Sequence, residues 1–256
     1  MTARTIRLGE REVKRIGLGT NQLEHTPANV EFIHTAVAAG IDHIDSAYLY
    51  TNGDSETTIG EALAPQPDGV VVATKGGFVP GTGKPELLRE LIEESLRRLR
   101  ADSIQLYYLH RVDPETPLEE SVGLLAEYRD RGVLHHVGLS EVSVDQIERA
   151  RRIVPITAVQ NRYSLYDRAW DDVVDHCARE GIVFVPFHPL KGEIGDAQAE
   201  VAERHGATPQ QVALAWLLQR SPTMLPIPGS LSLEHVQENL AALDVELSDE
   251  DIAALR

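Results

Sequence analysis

Short apolar runs alternate with long amphipathic stretches along this whole chain, and that alternation limits the fold more than any other feature. "RIGLGT" opens the series. "HID", "GVVVATK", "SIQLYYLH", "VLHHVGLS", "ITAVQ", "IVFVPF" and "TMLPI" follow as apolar runs. Between them lie stretches such as "KPELLRELIEESLRRLR", whose apolar positions 87, 88, 91, 92, 96 and 99 repeat with a period near 3.6. Others are "LEESVGLLAEYRDRG", "SVDQIERARRI", "AWDDVVDHCAREG", "DAQAEVAERHG", "TPQQVALAWLLQRS" and "SLEHVQENLAALD". Strands separated by helices cannot pair as tight hairpins. They are joined by right-handed crossovers and lie parallel. Eight such units in 256 residues suit a closed barrel of roughly 250 residues better than an open sheet. The expectation is an α/β fold, a (β/α)8 TIM barrel, in one domain over residues 1–256. The leading "TIRLGEREVKR" reads as an N-terminal β-hairpin placed to plug the N-terminal mouth.

Charge and composition narrow the function. The formal net charge is −16, which opposes non-specific binding to nucleic acid or acidic membranes. The single cysteine, Cys177, excludes an internal disulfide framework and reads as a buried helical thiol. No apolar run approaches the ~18 residues of a membrane span, and the N-terminal stretch has no signal-peptide core. These features predict a cytoplasmic protein, a monomer or small homo-oligomer. No G-x-G-x-x-G follows a strand, so a Rossmann fingerprint is missing. The histidines show no metal-ligand spacing, and no metal is expected.

In a barrel, chemistry gathers at the C-terminal ends of the strands. Four polar residues fall there from consecutive units: Asp45, Tyr50, Lys75 and His110. Each alone has an ordinary structural explanation, as a cap, a packing residue, a surface lysine or a core histidine. Together they make a chemical set. A free phenol titrates near ~10. An ammonium about 4 Å away contributes roughly 4 kcal/mol at an effective dielectric of ~20, enough to move a phenol towards the ~7 of a useful general acid. Asp45 would keep Lys75 charged and aimed. His110 would orient a carbonyl oxygen next to Tyr50. The set suits protonation of an oxygen that gains negative charge as hydride arrives.

"GIDHIDSAYLYTNGDSETTIGEAL", "VVATK", "YYLH", "GVLHHVGLSEVS" and "AVQNRYSLYDR" resemble, in order, the motifs of the aldo-keto reductase superfamily. The resemblance runs from about residue 5 to the C-terminus and is nearest to a bacterial branch with pyridoxal-reductase-like members. It implies that Asp45, Tyr50, Lys75 and His110 form the family's catalytic tetrad. It also implies a dinucleotide path. Ser140 and Gln160 match residues on the nicotinamide carboxamide, and Phe187 matches the aromatic under the nicotinamide ring. Leu190 and Gly192 match the loop near the pyrophosphate. Ser230, His235, Glu238 and Asn239 match the adenosine-phosphate and adenine contacts. A loop running into a helix N-terminus there is also an anion site on its own physics.

The chain departs from the family at four positions. Glu141 stands where many members have Asn, and Thr51 where Gly is common. Gly229 replaces a lysine, and His235 an arginine, that hold the 2′-phosphate. The shortened "HPLKGEIGDAQAEVAERH" predicts an open substrate mouth. The reading is NADPH-dependent reduction of a small-molecule aldehyde or ketone to an alcohol, with NAD as the alternative cofactor. Two rivals stay open: an NADPH-binding sensor on the same scaffold, and a Schiff-base aldolase using Lys75, which needs a neutral amine.

Overall fold

The computed structural model describes residues 3–255. A hairpin of β1 (Thr5–Leu8) and β2 (Arg11–Lys14) opens the chain. Seven parallel strands follow in sequential order: β3 (Leu18–Gly19), β4 (His43–Asp45), β5 (Val71–Gly76), β6 (Ile104–Leu109), β7 (Leu134–Ser140), β8 (Ile156–Gln160) and β9 (Val183–Phe184). The helices between them are α1 (Pro27–Ala38), α2 (Asp54–Leu63), α3 (Pro85–Leu99), α4 (Leu118–Asp130), α5 (Val144–Arg151) and α6 (Asp171–Glu180). After β9 come α7 (Asp196–His205), α8 (Pro209–Arg220), α9 (Leu233–Ala241) and α10 (Asp249–Ala254). No helix among the described residues is long and apolar enough to cross a membrane.

The eighth strand expected at "TMLPI" forms no ladder of its own. The segment 223–229 nevertheless lies between β9 and β3 and bonds to both. On the β9 side, Phe184 N donates to Thr223 O at 2.9 Å and Leu225 N to Phe184 O at 2.8 Å. On the β3 side, Gly17 N donates to Pro226 O and Gly19 N to Pro228 O, at 3.0 and 3.2 Å. Pro226 and Pro228 have no N–H to return, so donation across this seam runs one way. Close approach requires glycine: a Cβ on Gly19 would stand 2.8 Å from Ile227 O. The ring closes through this seam, and the (β/α)8 expectation holds.

Side chains inside the ring form one apolar cluster. It includes Val71, Ala73, Leu106, Tyr108, Val183, Val185 and Ile227, with Leu8 and Val13 of the hairpin packed into it. The hairpin therefore plugs one mouth, as expected. A second cluster joins the outer faces of the strands to the helices and contains Cys177, Trp216 and Tyr163. The periodic pattern does not reveal α2. Its first half buries Ser55, Glu56 and Thr58, and its apolar positions Ile59, Ala62 and Leu63 span little more than one turn, too short a stripe to mark it. Buried Arg15 also lies outside any periodic pattern. It donates to the carbonyls of Met224, Leu218 and Ser221 at 3.1, 2.8 and 2.6 Å, tying the end of α8 to the seam.

Candidate active site

Parallel strands in a closed ring bring their last residues to one rim. Asp45 ends β4, Lys75 is next to last in β5, and His110 follows β6. All three are buried. Tyr50 opens a short 3-10 turn, Tyr50–Gly53, beyond β4. The chain leading into this turn is pinned to β5, because Ser46 N donates to Ala73 O and Tyr48 N to Lys75 O. Thr51 has φ +47°, a left-handed conformation costly for a β-branched residue, which explains why glycine suits the position. Two hydrogen bonds offset the cost: Thr51 Oγ1 donates to Leu23 O at 2.8 Å and accepts from Ser55 N at 3.1 Å. Glu141 is left-handed too, at φ +54°, a conformation that asparagine adopts readily. Its carboxylate accepts from Arg162 N at 2.6 Å.

Lys75 Nζ is the hub. It donates to Asp45 Oδ1 at 2.5 Å, to Ser46 O at 2.7 Å and to Tyr50 OH at 3.2 Å. An ammonium has three donors, and all three are used. Burial alone would push the Lys75 pKa down, but Asp45 and Tyr50 more than reverse it, and the net direction is up. Asp45 Oδ2 accepts from Gln160 Nε2 at 2.8 Å. The His110 ring packs edge-on to Tyr50, with centroids 6.0 Å apart. Burial, reinforced by Lys75 and Arg111, pushes the His110 pKa down to about 2. Its imidazole is therefore neutral at physiological pH.

These groups open into a cavity of about 240 Å³ lined by Asp45, Tyr50, His110, Ser140, Gln160 and Phe187, among others. A second cavity, of about 260 Å³, runs on past Leu190 to Ser230. The two share Gly19, Thr20, Asn21, His188, Pro189 and Gly229 and so make one elongated groove, with the tetrad at one end. A larger cleft, of about 660 Å³, opens beside Arg15 and Trp216 and holds none of the four. Its size carries no chemistry.

The other sequence-predicted residues fall at different depths. Ser140 and Gln160 end β7 and β8 and are buried in the cavity wall. Gly192 has φ +147°, and a Cβ there would strike the Tyr166 ring at 2.2 Å; it lines a neighbouring pocket with Leu190. Ser230 Oγ accepts from Ser232 N at 3.0 Å. Ser232 caps α9 by accepting from His235 N. His235 and Glu238 are exposed on α9, and Asn239 is buried. Sequence reasoning missed the Ser46 carbonyl, whose role no side-chain motif records. It also missed Phe78 and Arg111, although the sequence places Arg111 directly after His110.

The family model for the aldo/keto reductase family matches residues 15–198 and 191–256. The chain belongs to this family. Pyridoxine 4-dehydrogenase of Escherichia coli is 36% identical over 282 residues, covering 100% of this chain and 98% of its own. A thermostable aldo-keto reductase solved with the inhibitor epalrestat superimposes with a TM-score of 0.90 at 31% identity, covering 98% of each chain. An aldo/keto reductase from Klebsiella pneumoniae, solved with NADP and acetate, gives 0.88 at 29% identity, covering 98% of this chain and 94% of its own. Family membership agrees with the order of motifs read in the sequence.

Proposed function

We propose that this aldo/keto reductase reduces an aldehyde or ketone to an alcohol, with NADPH as hydride donor and Tyr50 as proton donor. The observation that carries the reading is the saturated Lys75 ammonium. It donates a hydrogen bond to the Tyr50 oxygen, so the phenolic proton is left to point elsewhere, and the cavity is where Tyr50 is open. The elongated groove supports a dinucleotide, since it leads from the tetrad past Phe187 to Ser230. Ser140, Gln160 and Phe187 would hold the nicotinamide end. Leu190, Ser230 and the first turn of α9 would hold the phosphate and adenosine end. When bound, NADPH supplies the hydride for the carbonyl carbon.

The chain's own residues handle the proton. A carbonyl oxygen next to Tyr50 OH takes the phenolic proton as charge builds on it. The phenolate left behind is held by the Lys75 ammonium, which Asp45 fixes in place. His110, being neutral, serves as a hydrogen-bond donor to the carbonyl oxygen and not as an acid. Tyr50 regains its proton from solvent through the cavity it lines. Nucleophilic use of Lys75 is disfavoured, because a Schiff base starts from a neutral amine while Lys75 is raised and fully bonded. At the adenosine end, Gly229 and His235 replace the cations expected for a 2′-phosphate, and Glu234 adds a carboxylate to the first turn of α9. The preference for NADPH over NADH should therefore be weaker than in relatives that carry both cations.

The test is turnover of a panel of aldehydes and ketones with NADPH and NADH, in wild type and Tyr50→Phe. The variant is expected to lose ~10²–10⁴ in kcat and keep its NADPH Kd within about twofold. Wild-type-like turnover in Tyr50→Phe would overturn the proton-donor role. Tight NADPH binding without turnover of any carbonyl would favour a sensor.

A further inference from the structure

The active-site cavity contains a cation that proton and hydride transfer leave unused. Arg111 lines it together with Phe78 and Leu49. Its guanidinium carbon sits 5.3 Å from the Phe78 ring centroid. Among the described residues only Nη1 has partners, through long contacts of 3.3 Å to His110 O and 3.5 Å to Ser140 Oγ. Arg98 and Arg162 each hold a carboxylate, Glu56 and Asp167. Arg111 holds none among the described residues. The one carboxylate on the cavity wall is Asp45, and Lys75 neutralises it. Arg111 is thus an uncompensated charge in the pocket of a chain whose net charge is −16.

A guanidinium presents its donors as a planar fork matched to carboxylate and phosphate oxygens. Here Nε and Nη2 have no acceptor among the described residues. Phe78 and Leu49, 44% and 37% exposed, supply an apolar surface on the same wall. We propose that this site takes carbonyl substrates with an anionic group, a carboxylate or a phosphate, bound by Arg111 while the carbonyl lies at Tyr50 and His110. The apolar body between the two ends rests on Phe78 and Leu49. This assignment rests on the carbonyl-reduction reading.

The test compares 4-formylbenzoate with its methyl ester, using NADPH and the whole chain. Wild type is expected to prefer the acid by at least tenfold in kcat/KM, mainly through KM. Rising salt should shrink the preference. Arg111→Met should abolish it, and Arg111→Lys should restore part of it, because a cation returns without the fork. A role confined to positioning Ser140 would lower acid and ester alike in Arg111→Met. That result, or a wild type that favours the ester or does not discriminate, overturns the assignment. 4-Formylphenyl phosphate identifies the anion: a KM below that of the benzoate names phosphate, and a KM above it names carboxylate. If wild type reduces none of these compounds, the carbonyl-reduction reading fails. Calorimetric binding of 4-formylbenzoate then judges the anion site separately, which stands if Arg111→Met weakens binding tenfold or more and falls if it does not.

Discussion

Lys75 and Asp45 form a buried pair whose two members cannot be removed one at a time at equal cost. Lys75→Met leaves a carboxylate 1% exposed with Gln160 as its remaining hydrogen-bond partner. An uncompensated buried charge costs about 3–5 kcal/mol, so this variant should lose stability as well as turnover. Asp45→Asn combined with Lys75→Met should recover most of the stability, because no unpaired charge remains, and should stay inactive. Urea midpoints and kcat for wild type, single and double variants separate the two effects. An active double variant would remove the Lys75 ammonium from the proposed mechanism. The four members of this set were legible in the sequence because three stand at strand ends, Tyr50 lies in the loop just beyond one, and each has a distinctive side chain. The Ser46 carbonyl was not, since any residue supplies one. Nor was the use of Gln160 Nε2 on Asp45, because that contact joins strands 115 residues apart.

Among the elements, those with a clean apolar period were found within a residue or two. β8 matches "ITAVQ" end to end, and α3 covers the periodic stretch. Elements whose contacts are polar or backbone were not. α2 buries hydroxyls and a glutamate, and the closing segment is broken by prolines. α10 is six residues long, held by the Ser248 capping box, too short for a period to register. Arg15 shows how much such contacts matter. It takes three carbonyls that no other side chain among the described residues reaches, and burial pushes its pKa down to about 10. Arg15→Met would remove the guanidinium from Leu218 O and Met224 O, at the end of α8 and the seam, and leave Ser221 O with Met224 N alone. With charged hydrogen bonds at about 1.5–3 kcal/mol, we expect a loss of that order in unfolding free energy and a kcat near wild type, since Arg15 lies away from the tetrad. Thermal denaturation and turnover of the purified variant check both. An unchanged Tm would mean that water replaces the guanidinium at no cost.

For the whole molecule, acid brings two opposed effects. Protonating carboxylates relieves self-repulsion in a chain of net charge −16. Buried neutral histidines act the other way. His110 is pushed down to about 2 and His43 is lowered too, chiefly by burial in both cases. An unfolded histidine titrates near ~6.5, so below that pH the unfolded chain binds protons the folded chain refuses. Stability is held above ~6.5 and lost as pH falls. Between pH 7 and 5, His110 alone should contribute about 2 kcal/mol of that loss. His110→Asn should therefore lose about 2 kcal/mol less than wild type over the same range, as read from urea denaturation at each pH. Parallel curves for the two proteins would show that His110 is protonated in the fold.

The one-way seam between β3 and segment 223–229 has a further consequence. A ring of strands breathes where its backbone pairing is thinnest, and here two bonds, donated by Gly17 just before β3 and Gly19 within it, hold one side shut. Gly19 and Gly229 form the bridge at its end, and both are also floor of the groove assigned to the dinucleotide. A ligand lying across them acts as a clasp on the hoop. Saturation at 100 times Kd would add about 2.7 kcal/mol to the closed form. Amide hydrogen exchange should register it at Gly17, Gly19, Leu225 and Ile227, slowed on adding NADPH, while the amides of the β5–β6 pair, already in a full ladder, change little. The cofactor would then act as a hoop on the barrel as well as a reagent.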